Sequence, residues 1–292
     1  AVLLAFLNLC LASASHRLMV SLSIAIVLGF CLNIILRPEI ARVASYFTIS
    51  VTCYLDIGGA AFYFFTDSVD RYPEGPHFTP MFYNSTLSVV RTACMLLGMK
   101  LYTRYAHALS YRTMLTVVSI VSCLVHLPDM IIFSRVNLRW GIPDEVFAFG
   151  ACALSSLPAG YNYVIIVQLI ARCCPKGLEA TIFALLGSYA NFGNEVSRYL
   201  GAFLLELFGV RPRGVVAESE AFEHLWLVSL VASLFPLLPL FLLRWLIPAA
   251  RQTDKLVKDC DEGAQAATQG SPFSRMRDCF LARESSVTSA SL

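Results

Sequence analysis

GLEATIFALLGSYANFGNEVSRYLGAFL, residues 177–204, is the stretch whose reading decides the fold. At about 100° per residue, a helix gathers Ser188, Asn191, Asn194, Glu195 and Arg198 within roughly a third of its circumference. Ile182, Leu185, Val196 and Leu200 fall on the opposite side. Crossing a bilayer takes roughly 20 predominantly apolar residues, and this run is long enough. An ionisable group at mid-membrane costs at least about 2.5 kcal/mol on insertion scales, so a polar stripe has to meet a partner or a wet cavity. The stretch therefore reads as a membrane helix with one greasy face and one face turned to a polar interior.

Working outward, the rest of the 292-residue chain fits the same setting: 57% of its residues are hydrophobic and 14% charged, and the mean hydropathy is +0.65. Soluble domains run near one quarter charged. Runs long enough to span occupy 1–15 (partial), 17–36, 43–66, 79–99, 112–134, 145–171, 178–208 and 223–247. Each is expected to be a helix, because no strand alternation is present and lipid satisfies no backbone group. A net charge of +2, without a basic block interleaved with aromatics, excludes nucleic-acid binding.

If the segments alternate across the membrane, Arg37, Arg42, Lys100, Arg104, Arg112, Arg172, Lys176, Arg244 and Arg251 gather on one side. On the other side a few Arg residues are diluted by Asp67, Asp70, Glu74, Asp144, Glu218, Glu220 and Glu223. The positive-inside rule makes the first side and the C-terminus cytoplasmic. The polar tail from about residue 249 lacks any hydrophobic period and is expected to be disordered. Ala1 opens the chain inside an apolar run, without Met or a cleavage pattern, so the start reads as truncated.

Two further segments carry polar stripes. Asn84, Ser88 and Arg91 share a face of the fourth, and Thr52, Asp56 and Tyr63 share a face of the third, where Gly58-Gly59 beside Asp56 lets a neighbouring backbone approach or the helix flex. Two readings stand. In one, Arg91 and Arg198 attract an anionic substrate while Asp56 or Glu195 carries a coupling proton. In the other, Asp56 pairs with Arg91, and Glu195 with Arg198 at i,i+3, only to neutralise charge between helices. His126 and Asp129, also at i,i+3, read as an interfacial hydrogen-bonded pair ahead of a proton relay. The sixth segment is expected to break or kink at Pro158-Ala159-Gly160, before Tyr161.

Other classes find little support. Asp70-Arg71-Tyr72 mimics a receptor signature, but Pro73, Gly75 and Pro76 follow at once and place it in a loop. The isolated histidines never reach metal-ligand spacing, and no Gly-x-Ser-x-Gly elbow is present, so neither an enzyme nor a metal site is expected. Most cysteines fall singly inside apolar runs as small hydrophobes; Cys173 and Cys174, at a helix end beside Arg172, read as structural ahead of palmitoylated.

The strings CPKGLEATIFALLGSYANFGNEVSRYLGAFLLELFGV (174–210), DIGGAAFYFFTDS (56–68), FTPMFYNS (78–85) and RVNLRWGIPDEVFAFG (135–150) together resemble the folate-biopterin transporter family of the major facilitator superfamily. The resemblance implies an all-α integral membrane fold, a major-facilitator-like helix bundle of which about eight of twelve transmembrane helices are present. Residues 1–36 would be the last two helices of the N-terminal half, 37–42 the central cytoplasmic connection, 43–248 the complete C-terminal six-helix half, and 249–292 a cytoplasmic tail. It also implies proton-coupled transport of a folate or pterin by alternating access. The nearest alternatives are a relative carrying a sulfonium nucleoside or sugar, and a non-transporting sensor. On this reading Asp56, Arg91, Asn191, Asn194, Glu195 and Arg198 line the substrate or proton pathway, and Tyr63 or Tyr161 stacks on a pteridine. The expected partners are the small-molecule substrate and the lipid bilayer, with the protein a monomer and no cofactor. In the loop motif of such carriers Tyr102 stands where an acidic residue is usual, leaving Arg104 and Arg112 as its basic part.

Overall fold

The computed structural model describes residues 13–105, 109–173 and 179–249. The first expected segment, Cys174 with the Pro-Lys-Gly that follows it, and the tail from 250 lie outside the described residues. The protein is an all-α membrane protein. Helix α1 is Ala14–Ile35, α2 is Pro38–Cys53 and α3 is Gly58–Thr66. A π-helical turn, Phe82–Thr86, runs into α4, Leu87–Tyr105. Then come α5, Tyr111–His126, α6, Asp129–Phe133, the short α7, Val136–Arg139, and the long α8 and α9, Asp144–Cys173 and Glu179–Leu207. Helices α10, Leu225–Leu234, and α11, Leu240–Leu246, are joined by a 3₁₀ turn, Phe235–Leu237, and preceded by another, Ser219–Phe222.

Among the described residues, five stretches are long and apolar enough to cross a membrane: α1, α2 with α3, α5 with α6, α8, and the run 219–246. Helix α9 is 29 residues long and α4 continues the π turn, so length does not set these two apart. Arg91, Lys100 and Arg104 on α4, and Glu195 and Arg198 on α9, lower their hydropathy. The spans that look least like lipid helices are thus the ones with a polar stripe to place inside.

Small residues set the closest helix contacts, as they do where no water is expelled between helices. A Cβ on Gly98 of α4 would collide with the Leu157 carbonyl of α8, and one on Gly160 of α8 would collide with the Met95 carbonyl of α4. The two backbones are therefore in mutual contact. Helix α8 runs unbroken through Pro158, contrary to the break expected there; the packing against α4 holds the helix across the missing N–H. Helix α2 also starts earlier than expected. Pro38 is its first residue, where a fixed φ and an absent N–H cost nothing, so 38–42 form its first turn rather than a connection.

Two apolar clusters close the two ends of the bundle. At the basic end Leu36, Ile40, Tyr46, Tyr102, Tyr111, Ile165, Leu169 and Ile247 pack together. Arg112 donates there to the Ile247 and Arg244 carbonyls at 2.7 and 2.9 Å, a cation on the C-terminal end of α11. Tyr102 donates to Gln168 Oε1 at 2.8 Å, so the residue in the acidic motif position is a hydrogen-bonded core phenol. At the opposite, loop end the cluster is aromatic: Phe64, Phe65, Tyr72, Phe78, Phe133 and Phe222. Phe65 and Phe78 stack at 5.4 Å with planes 8° apart. Burial pushes the Tyr72 phenol up to about 12, which keeps it neutral. Arg135 pairs with Asp144 at 2.9 Å while Asn137 donates to the same carboxylate at 2.7 Å, tying α7 to the start of α8. Between the clusters, apolar side chains such as Ile26, Val89, Phe241 and Trp245 cover the outside, as lipid contact requires.

Gly160→Leu is expected to lower the melting temperature of the detergent-solubilised protein by about 5 °C or more through overpacking at Met95. Gly150→Leu, with open space around it, is expected to change it by less than about 2 °C.

Candidate functional site

The third span breaks at Tyr54–Ile57, between α2 and α3. Non-helical backbone at membrane depth persists only where the protein supplies partners. Here Ser197 of α9 donates its hydroxyl to the Tyr54 carbonyl. Asp56 Oδ1 accepts from the Gly58 N–H at 2.8 Å, so the carboxylate caps the turn into α3. Gly201, one turn beyond Ser197, leaves no room for a Cβ over the Asp56 carbonyl oxygen, and a Cβ on Gly193 would meet the Thr48 carbonyl oxygen at 2.9 Å. The small face Gly193, Ser197, Gly201 of α9 is fitted to the break.

That fit determines where the polar stripe of α9 lands. Arg198 Nε lies 3.5 Å from Asp56 Oδ2, and Arg198 Nη1 lies 3.0 Å from Glu195 Oε1. Asp56 thus pairs with Arg198, and the expected Asp56–Arg91 pair is replaced by this triad. The side chains are 61%, 48% and 41% exposed for Arg198, Asp56 and Glu195, and with Asn191 and Asn194 they line an open cavity of about 490 Å³.

A second cavity, about 340 Å³, lies on the other side of Asp56 between the two apolar clusters. Its polar lining is Tyr54, Asp56, Tyr83, Arg91, His126, Asp129, Cys152 and Ser155, with Ser229 and Ser233 from the last span. Four backbone irregularities within the spans border it. Tyr54–Gly58 is the break before α3, Tyr83 is in the π turn, His126 and Asp129 flank the Leu127–Pro128 interruption, and Pro236 is in the 3₁₀ turn of the last span. Discontinuous helices and π turns are where membrane proteins assemble binding sites. His126 Nδ1 and Asp129 Oδ2 are 3.1 Å apart. The Arg91 guanidinium forms no ion pair among the described residues.

All six expected pathway residues therefore fall on one or the other cavity, with Asp56 shared between them. The two expected stacking residues fall on neither. Tyr63 is exposed and edge-on to Phe62, and Tyr161 packs at 81° on Tyr102 in the basic-end cluster. Tyr83, Cys152, Ser229 and Ser233 are lining residues that sequence reasoning passed over. Tyr83 had a usable signal, standing beside Asn84 at the start of a polar stripe, whereas a lone Cys or Ser in an apolar run has none.

A bundle of membrane helices interrupted around a polar, ion-paired interior defines a multi-pass α-helical membrane protein. Residues 15–267 match the BT1 family, and the chain belongs to that family. It is 28% identical over 229 residues, 78% of the chain, to a protein named probable folate-biopterin transporter 6 of Arabidopsis thaliana, and 31% identical over 214 residues, 73% of the chain, to probable folate-biopterin transporter 2 of the same plant. To the folate-biopterin transporter of Synechocystis sp. it is 32% identical over 203 residues, 70% of the chain. The matched regions are 43%, 40% and 37% of those relatives, so the chain spans about two fifths of their length. No solved structure matches the chain.

Asp56→Asn keeps an oxygen for the Gly58 N–H, whereas Asp56→Ala removes it. The alanine variant is expected to be less stable than the asparagine variant by about 1 kcal/mol, read by chemical denaturation in mixed micelles. Equal stabilities would show that the capping bond is idle.

Proposed function

We propose that this chain belongs to a secondary transporter that carries a folate or pterin by proton-coupled alternating access, with the chain supplying the C-terminal six-helix half of a major-facilitator bundle and two helices of the other half. The observation that carries the proposal is the convergence of four backbone irregularities and the ionisable side chains on one cavity between two apolar seals. A carrier needs closed ends and a deformable polar middle, and this is that arrangement. The relatives' names supply the substrate class, and the family supplies the context.

The cavity's volume falls within the range of about 300–1,000 Å³ usual for small-molecule sites. On this proposal Arg91, free of an ion pair, takes a carboxylate of the folate tail as a charge-assisted contact. Asp56 accepts from the aminopterin edge, and Tyr83, which lines the cavity, stacks in place of Tyr63 or Tyr161. Arg198 keeps the break in register by holding Asp56 and Glu195. The basic end, with the C-terminus, faces the cytoplasm.

Uptake of labelled folate, biopterin and hexose by the complete gene product in a transport-deficient cell tests the proposal. Uptake of the pteridines is expected; uptake of the sugar alone would refute it. Arg91→Gln is expected to weaken folate uptake by about 2 kcal/mol, roughly thirtyfold, because a charged hydrogen bond is lost. Biopterin, which has no carboxylate tail, is expected to lose less than about threefold. Equal losses for both solutes would assign Arg91 a structural role.

A further inference from the structure

The roles assigned above give no part to His126 and Asp129 on the central cavity. His126 is the last residue of α5 and Asp129 the first of α6; the interruption at Leu127–Pro128 sets them side by side with Nδ1 and Oδ2 3.1 Å apart. Their side chains are 38% and 31% exposed, so the pair is reached from the cavity. The interruption is braced from the last span, where Ser233 donates its hydroxyl toward the His126 carbonyl at 3.3 Å and the Ser229 carbonyl at 2.8 Å.

From the proposed transport reading, on which this inference rests, we infer that the His126–Asp129 pair binds the coupling proton and that its protonation leaves Arg91 free for the anionic part of the substrate. The other carboxylates on the two cavities are already engaged. Asp56 is held by the Gly58 N–H and Arg198, and Glu195 by the same arginine. Histidine is the side-chain type whose charge changes near neutral pH. The charged and titratable groups that line the cavity with the pair are Tyr54 and Asp56 from the α2–α3 break, Tyr83 and Arg91 from the π turn and α4, and Cys152 from α8; the last span lines it with Ser229 and Ser233.

The electrostatics then follow. With His126 neutral, Asp129 leaves a negative charge on the cavity wall that draws the Arg91 guanidinium and repels an anionic solute. When the imidazole takes a proton, the pair is internally neutral and the positive charge of Arg91 is left for the substrate. Proton and anion each favour the other's binding, and the linkage is reciprocal. The proton enters with the substrate on one side and leaves from the same imidazole on the other.

The test uses the complete gene product in proteoliposomes held at zero membrane potential, with labelled folate and two assays: accumulation under an inward proton gradient, and folate-for-folate exchange at equal pH. A one-proton symporter gains about tenfold in accumulation per unit of pH gradient. The wild type is expected to show that gain, whereas two double variants that leave the pair neutral at every pH, His126→Gln with Asp129→Asn and His126→Asn with Asp129→Asn, are expected to lose it and to keep exchange within about threefold. Gradient-driven accumulation that survives in both variants would overturn the inference and leave the transport reading intact. Loss of exchange together with accumulation, at normal levels of folded protein, would also overturn it by giving the pair a binding or packing role. A wild type that transports folate with no response to the gradient removes the coupling proton altogether. A wild type that moves neither folate nor biopterin refutes the transport reading, and this inference falls with it.

Discussion

A backbone that leaves helical geometry inside a bilayer must find every partner within the protein, and the arrangement around Asp56 follows from how this is met at Tyr54–Ile57. Ser197 takes the Tyr54 carbonyl, Asp56 takes the Gly58 N–H, and Gly201 lets α9 lie directly on the break. Each partner restricts the next. Because α9 must present Gly193, Ser197 and Gly201 to the break, its neighbouring positions 194, 195 and 198 are carried to the edge of the same opening. The Asp56–Arg198–Glu195 triad is a consequence of that docking, and the two cavities meet at Asp56 for the same reason.

The ends of the bundle are built on a different principle from its middle. Both ends are dense apolar clusters tied by charge-assisted bonds to backbone or to a buried carboxylate, Arg112 at one and Arg135 with Asn137 at the other. In the middle, helices α3, α6 and α11 each start after an interruption, while α4 and α8 pack backbone to backbone through Gly98 and Gly160. Stiff ends and an interrupted middle allow bending at the cavity without unpacking the seals, because interruptions absorb dihedral changes that intact helices resist.

The class of fold was legible in hydropathy alone, because the length and composition of a membrane helix leave few alternatives. The polar face of α9 was legible in its period, whereas the third segment read as one run over 43–66 and its interruption before Gly58 was not expected. The partner of Asp56 was not legible either: Glu195–Arg198 is a local i,i+3 relation written in one helix, whereas Asp56–Arg198 depends on how two distant helices dock. Pro158 misled for a related reason. The cost of proline in a helix is a local property, but its consequence was decided by α4, whose backbone packs against Gly160. The stacking residues were misplaced because helical period fixes the angle of a side chain, not which neighbour fills the space beside it. Tyr161 points to its helix neighbours at the basic end, where Tyr102 occupies that space.

Two kinds of exposed surface remain on the described residues, and they are not equivalent. Phe241 and Trp245, 80% and 79% exposed, are what a lipid-facing surface should show. Arg198, Asp56 and Glu195, at 61%, 48% and 41%, cannot share that fate, since each charge placed in hydrocarbon costs at least about 2.5 kcal/mol. Pairing within the triad offsets part of this, yet exposed pairs of this geometry contribute only about 0–1 kcal/mol each. The strip of α9 that bears them must therefore face water or further protein. That requirement gives the two cavities a common front, with lipid confined to the opposite faces of the helices that line them.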